Sequence, residues 1–327
     1  MWVYSQSKRM YKLDKEIASG GEGRLLIVDN EQQLLAKLYH QPTRHHEQKL
    51  FAMVAKKLQQ PTHPIVAWPI EPLYEKTGVL RQPRFVGFLM PYISNEGTLY
   101  SMYHPSERKK KHPQVTKEHL YVIAHNLAYV VATVHKSGFV LGDVNESNFV
   151  INAQLLVTLV DADSLQFTGS GLTTYHCKVA KPEFTPPELE GADLSVVDRT
   201  EVHDRFGLAV LLFHLLMNGC YAYAGKSTTD VEMPRFGLYC KQQGSFPYVK
   251  NATVIPPPYA PPFRHLPVEV QGGFIRSFVY GYADPEKRPS AVEWQRILLR
   301  ARERLTLCRK NSDHVYGSHL NECPWCE

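Results

Sequence analysis

The sequence has no apolar stretch long enough to cross a lipid bilayer. Its longest apolar run, Phe206–Met217, is shorter than the roughly 20 residues that a membrane-spanning helix needs. Residues 1–16 also have no continuous apolar core of the kind that secretory signal peptides carry. We therefore expect a cytoplasmic protein that has no membrane partner.

Neither charge nor cysteine content is high. The formal net charge of +5 is far from a nucleic-acid-binding profile, so we expect no nucleic-acid partner. Six cysteines scattered over 327 residues are not a disulfide framework. With 43% hydrophobic and 21% charged residues, the composition is that of a globular protein with a substantial core.

Two neighbouring stretches are rich in oxygen-bearing side chains. Asp143 is followed by Asn148, and Asp161 comes after a short hydrophobic segment. A tight hairpin over residues 149–160 would bring these three side chains around one point. Mg²⁺ prefers such oxygen ligands, and a carboxylate can orient or deprotonate an attacking hydroxyl. The pattern indicates a nucleotide–metal site, although D-x-x-x-x-N by itself is also a common accident in loops.

These stretches resemble the eukaryotic-type (Hanks-type) protein kinases, whose catalytic loop reads H-R-D-x-x-x-x-N and precedes D-F-G. The spacing agrees, but several letters differ. Asn145 replaces the usual phosphate-contacting lysine, and further changes are Leu141 and Gly142 for His and Arg, and Ala162 and Asp163 for Phe and Gly. The resemblance implies that Asp143 is the catalytic carboxylate and that Asn148 and Asp161 hold Mg²⁺ or Mn²⁺.

The N-terminal region strengthens this resemblance. Residues 10–35 predict a strand, a glycine-rich turn and a second strand, and glycines let backbone amides approach phosphates closely. The next strand, 34–38, carries Lys37 and resembles the V-A-I-K strand of kinases. The resemblance implies catalytic phosphate contacts from Lys37 and an ATP site formed by Ala18, Ser19, Gly20, Gly21, Gly23, Leu25, Ala36 and Lys37.

Residues 43–58 predict an amphipathic helix capped by Thr43. Glu47 lies on its apolar face and is the predicted ion-pair partner of Lys37, the alternative being an exposed surface glutamate. Strands are predicted near Ile65–Ile70 and Phe85–Met90. By resemblance, the second strand leads into an adenine pocket formed by Met90, Pro91, Tyr92 and Ile93.

The remaining chain predicts a mainly helical region. Thr116–His135 is a strongly amphipathic helix, and 204–217 is apolar all round, as a buried helix would be. By resemblance, Asp204 anchors the catalytic-loop backbone, and Glu188 pairs with Arg288. The segment from Asp161 to Glu188 corresponds to an activation segment. Gly142 stands where such kinases carry the arginine that binds a phosphate on this segment. Constitutive activity or control by a partner is therefore expected.

The C-terminal tail groups metal-ligand residue types. Cys308, His314, Cys323 and Cys326 predict a tetrahedral Cys₃His zinc site, with His319 as a substitute ligand. A short tail without a core of its own needs such a staple. A redox C-x-x-C pair and an unstructured tail with reactive cysteines are the alternatives.

Together these features predict an α+β protein with a bilobal kinase-like fold. A small β-rich N-lobe would span 1–92, a larger helical C-lobe 93–304, and a zinc-binding tail 305–327. The expected activity is ATP- and Mg²⁺-dependent phosphorylation of Ser/Thr hydroxyls on a protein substrate, including the chain itself. Family analogy adds a metal-dependent protein phosphatase and a von Willebrand A-type protein as partners. The alternatives are a pseudokinase that binds nucleotide and regulates a partner, and a small-molecule kinase.

Overall fold

The computed structural model describes residues 1–75, 83–171, 173–228, 234–311 and 314–326. The chain divides into two compact units, one of Met1–Ser94 with Thr158–Tyr175, the other of Asn95–Val157 with His176–Glu327. Both strands and helices are present, which confirms the mixed α and β class. The bilobal arrangement stays a prediction.

The first unit is built around one antiparallel sheet that closes on itself. Its strands run in the order β1-β2-β3-β4-β6-β5, and β5 also pairs with β1. They are β1 (Trp2–Ser5), β2 (Met10–Ser19), β3 (Gly23–Val28), β4 (Leu34–Tyr39), β5 (Glu71–Glu75) and β6 (Arg84–Pro91). Val3, Leu13, Leu26, Leu73 and Leu89 are buried together in its core. Closure protects the strand edges and gives β4 a fixed position.

Most of the strand predictions for this unit are confirmed. The strand, turn and strand over residues 10–35 appear as β2 and β3, and the strand near Phe85–Met90 appears as β6. The strand predicted at Ile65–Ile70 is wrong, because the strand in this region is β5 at Glu71–Glu75. Residues 65–70 contribute a parallel bridge between Val66 and Leu159, whereas β5 pairs with both β1 and β6.

Helix α1 (Arg44–Lys56) follows β4 and begins where the sequence predicts. The backbone N–H of His46 donates to the Thr43 hydroxyl (3.2 Å), which satisfies one of the free donors of the first turn. Leu50 and Met53 are buried on the inner face. The helix is therefore held by its cap at one end and by apolar packing along its length.

Short strands occur in both units. β10 pairs with β11, β12 with β13, and β14 with β15. The short strands are β7 (Gly97–Thr98), β8 (Phe149–Ile151), β9 (Val157–Leu159), β10 (Phe167–Thr168), β11 (Thr174–Tyr175), β12 (Lys226–Ser227), β13 (Val254–Ile255), β14 (Leu305–Leu307) and β15 (Val315–Gly317). The proline-rich stretch 256–262, predicted to be a connector, contains neither a helix nor a strand.

The second unit is mainly helical. Its α-helices are α2 (Leu99–Tyr103), α3 (Pro105–Lys111), α4 (Lys117–Lys136), α5 (Glu201–Leu216), α6 (Phe236–Gln242), α7 (Val268–Ile275), α8 (Gly281–Ala283) and α9 (Ala291–Glu303). Thr116 caps α4 as predicted. α5 is buried along nearly its whole length, and Phe213 on it packs edge-on against Phe274 at 5.0 Å. Among the described residues, no helix combines the length and apolar character that a membrane span requires.

The predicted Glu188–Arg288 pair is confirmed inside the second unit. Both terminal nitrogens of Arg288 donate to the Glu188 carboxylate, at 2.5 and 2.8 Å, and Arg288 is fully buried. Burial raises the pKa of Glu188, but the hydrogen bonds and charge of Arg288 outweigh it, so the net pKa is lowered. The stability that the pair contributes is therefore present at neutral pH and lost as pH falls through this lowered pKa.

Replacement of Glu188 by alanine should strongly destabilise the fold. The change leaves the Arg288 guanidinium buried without its counter-charge, which costs about 3–5 kcal/mol in free energy of unfolding. As a control, Glu286→Ala removes a carboxylate that is 72% exposed and pairs with Arg205, and should cost at most about 1 kcal/mol. Urea unfolding curves measure both losses, and equal losses would contradict the assigned role of Glu188.

Candidate functional site

Lys37 is a nearly buried lysine on β4. Its side chain is 12% exposed, and β4 pairs with β3 on one side and β6 on the other. Gly87 on β6 permits this close pairing, because a Cβ there would overlap the carbonyl oxygen of Lys37. A buried ammonium is costly unless it is paired. The position of Lys37 therefore depends on its counter-charges.

Two aspartates supply those counter-charges. The Lys37 ammonium donates to Oδ1 of Asp161 and to Oδ1 of Asp163, each at 2.7 Å. Asp163 is buried, and its second oxygen accepts a hydrogen bond from the Tyr39 hydroxyl at 2.8 Å. In the sequence, Asp163 stands out only as a departure from D-F-G. A second aspartate two residues after the first was the one signal of its role.

The pKa shifts agree with this arrangement. Burial lowers the pKa of Lys37, but attraction to Asp163 and then Asp161 outweighs it and raises the pKa overall. Burial raises the pKa of Asp163, whereas the charge and hydrogen bond of Lys37 and the Tyr39 hydroxyl lower it overall. Burial, followed by repulsion from Asp163, raises the pKa of Glu22 in the glycine-rich turn. Lys37 is charged and Asp163 ionised at neutral pH.

The predicted ion pair between Lys37 and Glu47 is not formed in the described structure. Glu47 lies in the first turn of α1 and accepts a hydrogen bond from the Tyr74 hydroxyl on β5 at 2.8 Å. α1 contacts β4 through Tyr39 instead, whose ring stacks on His46 at 4.4 Å. The first turn of the helix thus directs Glu47 towards β5, and the counter-charges of Lys37 are the two aspartates. Glu47 as a nucleotide contact remains a prediction.

The glycine-rich turn joins β2 to β3. The N–H of Gly20 donates to the carbonyl of Gly23 (2.8 Å), and Nε2 of His40 lies 3.0 Å from the carbonyl oxygen of Gly20. A Cβ on Gly23 would overlap the carbonyl oxygen of Leu38, so glycine is required there. Exposed positions of this region are Ala18, Ser19, Gly20 and Gly21, while Leu25 is half-buried. The turn is ordered locally, and its backbone remains accessible.

The predicted adenine pocket corresponds to the end of β6. Pro91 lies opposite Leu34 in the sheet, and the N–H of Tyr92 donates to the carbonyl of Gln33 at 2.8 Å. Buried positions of the predicted set are Ala36, Met90 and Ile93, whereas Pro91 is half-buried and Tyr92 exposed. The backbone bond of Tyr92 fixes where the strand ends. Adenine contacts by these residues remain predictions.

In the second unit, Asp204 holds the backbone of the loop that contains Asp143 and Asn148, the predicted catalytic loop. Its carboxylate accepts the N–H of Leu141 at 2.7 Å and the N–H of Gly142 at 2.9 Å. Nε2 of His135, in the last turn of α4, lies 2.9 Å from the same carboxylate. Asp204 is buried in the first turn of α5. The predicted anchoring role of Asp204 is confirmed, and α4 and α5 together fix the loop that precedes Asp143.

Asp143 and Asn148 lie side by side in this loop. The Asn148 amide donates to the carbonyl oxygen of Asp143 at 2.9 Å and to Oδ2 of its carboxylate at 3.3 Å. Oδ1 of Asp143 is buried and has no hydrogen-bond partner among the described residues. An unpaired buried carboxylate oxygen is costly and is a position for a ligand hydroxyl. With its nitrogen committed to Asp143, Asn148 has its side-chain oxygen left as a possible metal ligand.

Lys181 is a second cation that sequence analysis missed. Its ammonium donates to Oε1 of Glu146 and to Oγ of Ser147, each at 3.0 Å. Ser147 in turn donates to Oδ1 of Asn145, the residue that stands in place of the usual loop lysine. Lys181 thus brings a positive charge to the catalytic loop from a distant part of the sequence. No local pattern around residue 145 could have revealed it.

The tail residues predicted to bind zinc are gathered in the second unit. Their ligand atoms, from Cys308, His314, Cys323 and Cys326, all lie within 4.8 Å of one another. The Cys308 and Cys326 sulfurs are 3.6 Å apart, and Nδ1 of His314 is 3.5 Å from Cys323 Sγ and 3.4 Å from Cys326 Sγ. A tetrahedron with Zn–S near 2.3 Å and Zn–N near 2.0 Å has edges of about 3.5–3.8 Å. The cluster is therefore compatible with zinc binding.

The surroundings of the cluster support the same donor set. β14 and β15 form a hairpin that carries Cys308 at one end, and the N–H of Cys308 donates to the carbonyl of His314 at 2.9 Å. The Lys310 backbone N–H is the main cause that lowers the pKa of Cys308 to about 6. A thiolate is the form that a metal binds. The substitute ligand His319 lies elsewhere, with Nε2 at 3.0 Å from the carbonyl oxygen of Arg264.

The tail packs on its own unit rather than extending from it. The Lys117 ammonium, at the start of α4, lies 4.9 Å from the centre of the Trp325 ring. The same ring lies 5.6 Å from the ring of His314. The N–H of Ser318 donates to the carbonyl of Arg304, just after α9. These contacts therefore join the tail to α4 and to the residue that follows α9.

Comparisons with known proteins agree with a kinase-like chain. The chain is 33% identical, over 335 aligned positions, to protein kinase YegI of Escherichia coli K12 and to the protein of the same name from Escherichia coli O157:H7. Each alignment covers 99% of this chain and 50% of the relative. The chain thus spans about half the length of the curated relatives it matches. No family model matches the sequence.

Removal of the Tyr39 hydroxyl should weaken the group of contacts that joins Lys37, Asp163 and Tyr39. Tyr39→Phe deprives the buried Asp163 of one hydrogen bond, and bonds to charged groups contribute about 1.5–3 kcal/mol. Tyr74→Phe is the matched control, since its hydroxyl donates to the half-buried Glu47 and its loss should cost less. Urea unfolding measures both changes. Equal losses, or no loss in Tyr39→Phe, would contradict a structural role for Asp163.

Metal analysis of the purified chain should find one zinc ion per molecule. Cys323→Ser/Cys326→Ser removes two sulfur ligands and should abolish zinc binding, because hydroxyls are poor substitutes for thiolates. His319→Ala is the matched control and should retain zinc, since His319 lies outside the cluster. A folded wild type without zinc, or loss of zinc in His319→Ala, would refute the assigned ligand set.

Proposed function

We propose that this chain is an ATP- and Mg²⁺-dependent protein kinase that phosphorylates Ser/Thr hydroxyls of a protein substrate, including its own. The observation that carries the proposal is the state of Asp143. One carboxylate oxygen is held by Asn148, and the other is buried without a partner among the described residues. That oxygen is suited to orient a substrate hydroxyl and to accept its proton.

Lys37 supports this proposal from the first unit. An ammonium fixed by two carboxylates offers a positive charge of defined position for the α- and β-phosphates of ATP. The backbone of the glycine-rich turn is exposed at Gly21, where an amide can approach phosphates. In this proposal Asp163 keeps Lys37 in place while Asp161 serves the metal. The predicted pocket around Met90 would take the adenine.

The donor set fits a hard divalent cation. The side-chain oxygen of Asn148 and the carboxylate of Asp161 are the ligands that Mg²⁺ prefers, and they would hold it in this proposal. When bound, the ion supplies positive charge that offsets the charge of the transferring phosphoryl group. Asp143 then receives the hydroxyl proton, and Lys181 adds positive charge beside the loop. The tail would hold a structural Zn²⁺ that stabilises the second unit.

The similarity to protein kinase YegI supports phosphoryl transfer to a protein. Serine or threonine specificity rests on the resemblance of the loop and activation segment. Partnership with a metal-dependent protein phosphatase and a von Willebrand A-type protein is part of the proposal and rests on family analogy. A cytoplasmic site of action is also part of the proposal.

Transfer of labelled phosphate from ATP should require Asp143. Wild type and Asp29→Ala, which changes a surface aspartate paired with Lys12, should label themselves or a generic acceptor protein. Asp143→Ala should lose about 10²–10⁴-fold in rate, as expected for removal of a catalytic acid–base group. Acid hydrolysis of the product should yield phosphoserine or phosphothreonine. Equal labelling by wild type and Asp143→Ala would rule out the proposed catalytic role.

A nucleotide-binding regulator is the competing function, and the same proteins distinguish it. A non-hydrolysable ATP analogue with Mg²⁺, at 100 times its dissociation constant, raises the free energy of unfolding by roughly 2.7 kcal/mol. Stabilisation without any labelling would identify a regulator that binds nucleotide. Labelling that depends on Asp143, together with stabilisation, would support the kinase.

A further inference from the structure

The residue before Asp143 is a glycine for a steric reason. Gly142 has a φ of +71°, a conformation that residues with a Cβ rarely adopt. A Cβ at this position would lie 2.7 Å from Cβ of Cys177 and 3.0 Å from both Cζ and Nη2 of Arg199. The space next to the catalytic loop is therefore already filled, and the guanidinium of Arg199 fills much of it.

Arg199 joins two separate stretches of the second unit. Nη1 donates to the carbonyl oxygen of Gly142 at 2.9 Å and to that of Val179 at 3.3 Å. Nη2 donates to the carbonyl oxygens of Cys177 and Val179. Arg199 is only 4% exposed. A rigid, planar guanidinium with several donors can hold such widely separated acceptors, whereas a lysine ammonium is a compact point charge.

The two stretches are the ones that a kinase must align. Gly142 immediately precedes Asp143, and Cys177–Val179 lies in the segment between Asp161 and Glu188. Asp204 holds the amide side of the same turn by accepting the N–H groups of Leu141 and Gly142. Arg199 holds the carbonyl side of Gly142. The backbone before Asp143 is thus fixed from both directions.

We propose that Arg199 is a positioning residue that holds the activation segment against the catalytic loop without phosphorylation. A phosphorylated segment is ordered when its phosphate meets an arginine, and removal of the phosphate releases it. Here the acceptors of the guanidinium are backbone carbonyls, which are present whether or not the segment is modified. Arg199 lies far from Asp143 in sequence. Its bonds to these carbonyls replace the contact that a phosphate–arginine pair would make. Its effect on catalysis rests on the proposed kinase function.

The proposal implies that the unmodified chain is already competent. Phosphorylation of hydroxyl groups in the segment, among them those of Thr168 and Thr173, would leave the rate unchanged. Regulation would then act through a partner or substrate access rather than through this segment.

Hydrogen exchange tests the contact itself, independently of any activity. The protein is treated with a phosphatase, shown by mass spectrometry to carry no phosphate, and compared with Arg199→Met, Arg199→Lys and the control Arg302→Met. Arg302 lies on the surface and pairs with Glu118. The amides of Gly142, Phe184 and Thr185 donate hydrogen bonds beside this contact, and they should exchange at least about tenfold faster in Arg199→Met because the two stretches open more often. Arg199→Lys should lie between this variant and wild type, and Arg302→Met should match wild type.

Phosphoryl transfer by the same proteins tests whether the Arg199 contact affects catalysis. Arg199→Met should lose about tenfold or more in kcat, with the KM for ATP changed less than about twofold, since nucleotide contacts are not altered. The phosphatase-treated wild type should be as active as a phosphorylated preparation. Arg302→Met should keep the wild-type rate.

Several results would overturn the proposal. They are unchanged exchange of the Gly142, Phe184 and Thr185 amides in Arg199→Met, and loss of activity when the wild type is dephosphorylated. Should Arg199→Met fail to fold, Arg199→Lys decides by the same two readouts. A wild type that transfers no phosphate, but in which these three amides are protected only when Arg199 is present, would refute the kinase and retain the positioning contact of Arg199.

Discussion

Charge buried within each unit is the constraint on which this structure depends. A lysine on β4, an arginine below 1% exposure at position 288 and an arginine at 199 are each too deeply buried to remain unpaired. Lys37 meets two carboxylates, Arg288 a bidentate carboxylate, and Arg199 a set of carbonyl oxygens. Each pairing fixes a segment that is far away in sequence. The same contacts that satisfy the charges therefore fix the candidate residues within each unit.

The departures from the kinase pattern have physical counterparts elsewhere in the chain. Gly142 takes the place of the usual arginine and leaves room for Arg199, which enters from the approach to α5. Asp163 takes the place of a glycine and binds Lys37 and Tyr39, while Glu47 is occupied by Tyr74. Each of these substituted residues therefore makes a contact with another part of the chain, or leaves room for one.

The C-terminal tail packs against the rest of the second unit and is stabilised by those contacts. Its hairpin has only three residues in each strand, and it cannot bury enough surface to order itself. Four metal-ligand side chains gather there within 4.8 Å of one another, and Trp325 rests against Lys117 at the start of α4. Because α4 also carries His135, which contacts Asp204, the tail and the catalytic loop share one supporting helix. Metal binding at the tail would therefore stabilise the element that supports the loop.

The sequence by itself determined the elements with local causes: the Thr43 and Thr116 caps, the glycine-rich turn, the buried α5 helix, and the metal-type residues of the tail. Periodicity, capping and close spacing act within a few residues, so they can be read from the chain. The Glu188–Arg288 pair also followed, through its resemblance to known motifs. Only the tertiary structure decided that Lys37 pairs with Asp163 rather than Glu47, and that Lys181 and Arg199 reach the catalytic loop. These contacts join residues far apart in sequence, and burial in the folded unit, which no local pattern encodes, determines which charges must meet.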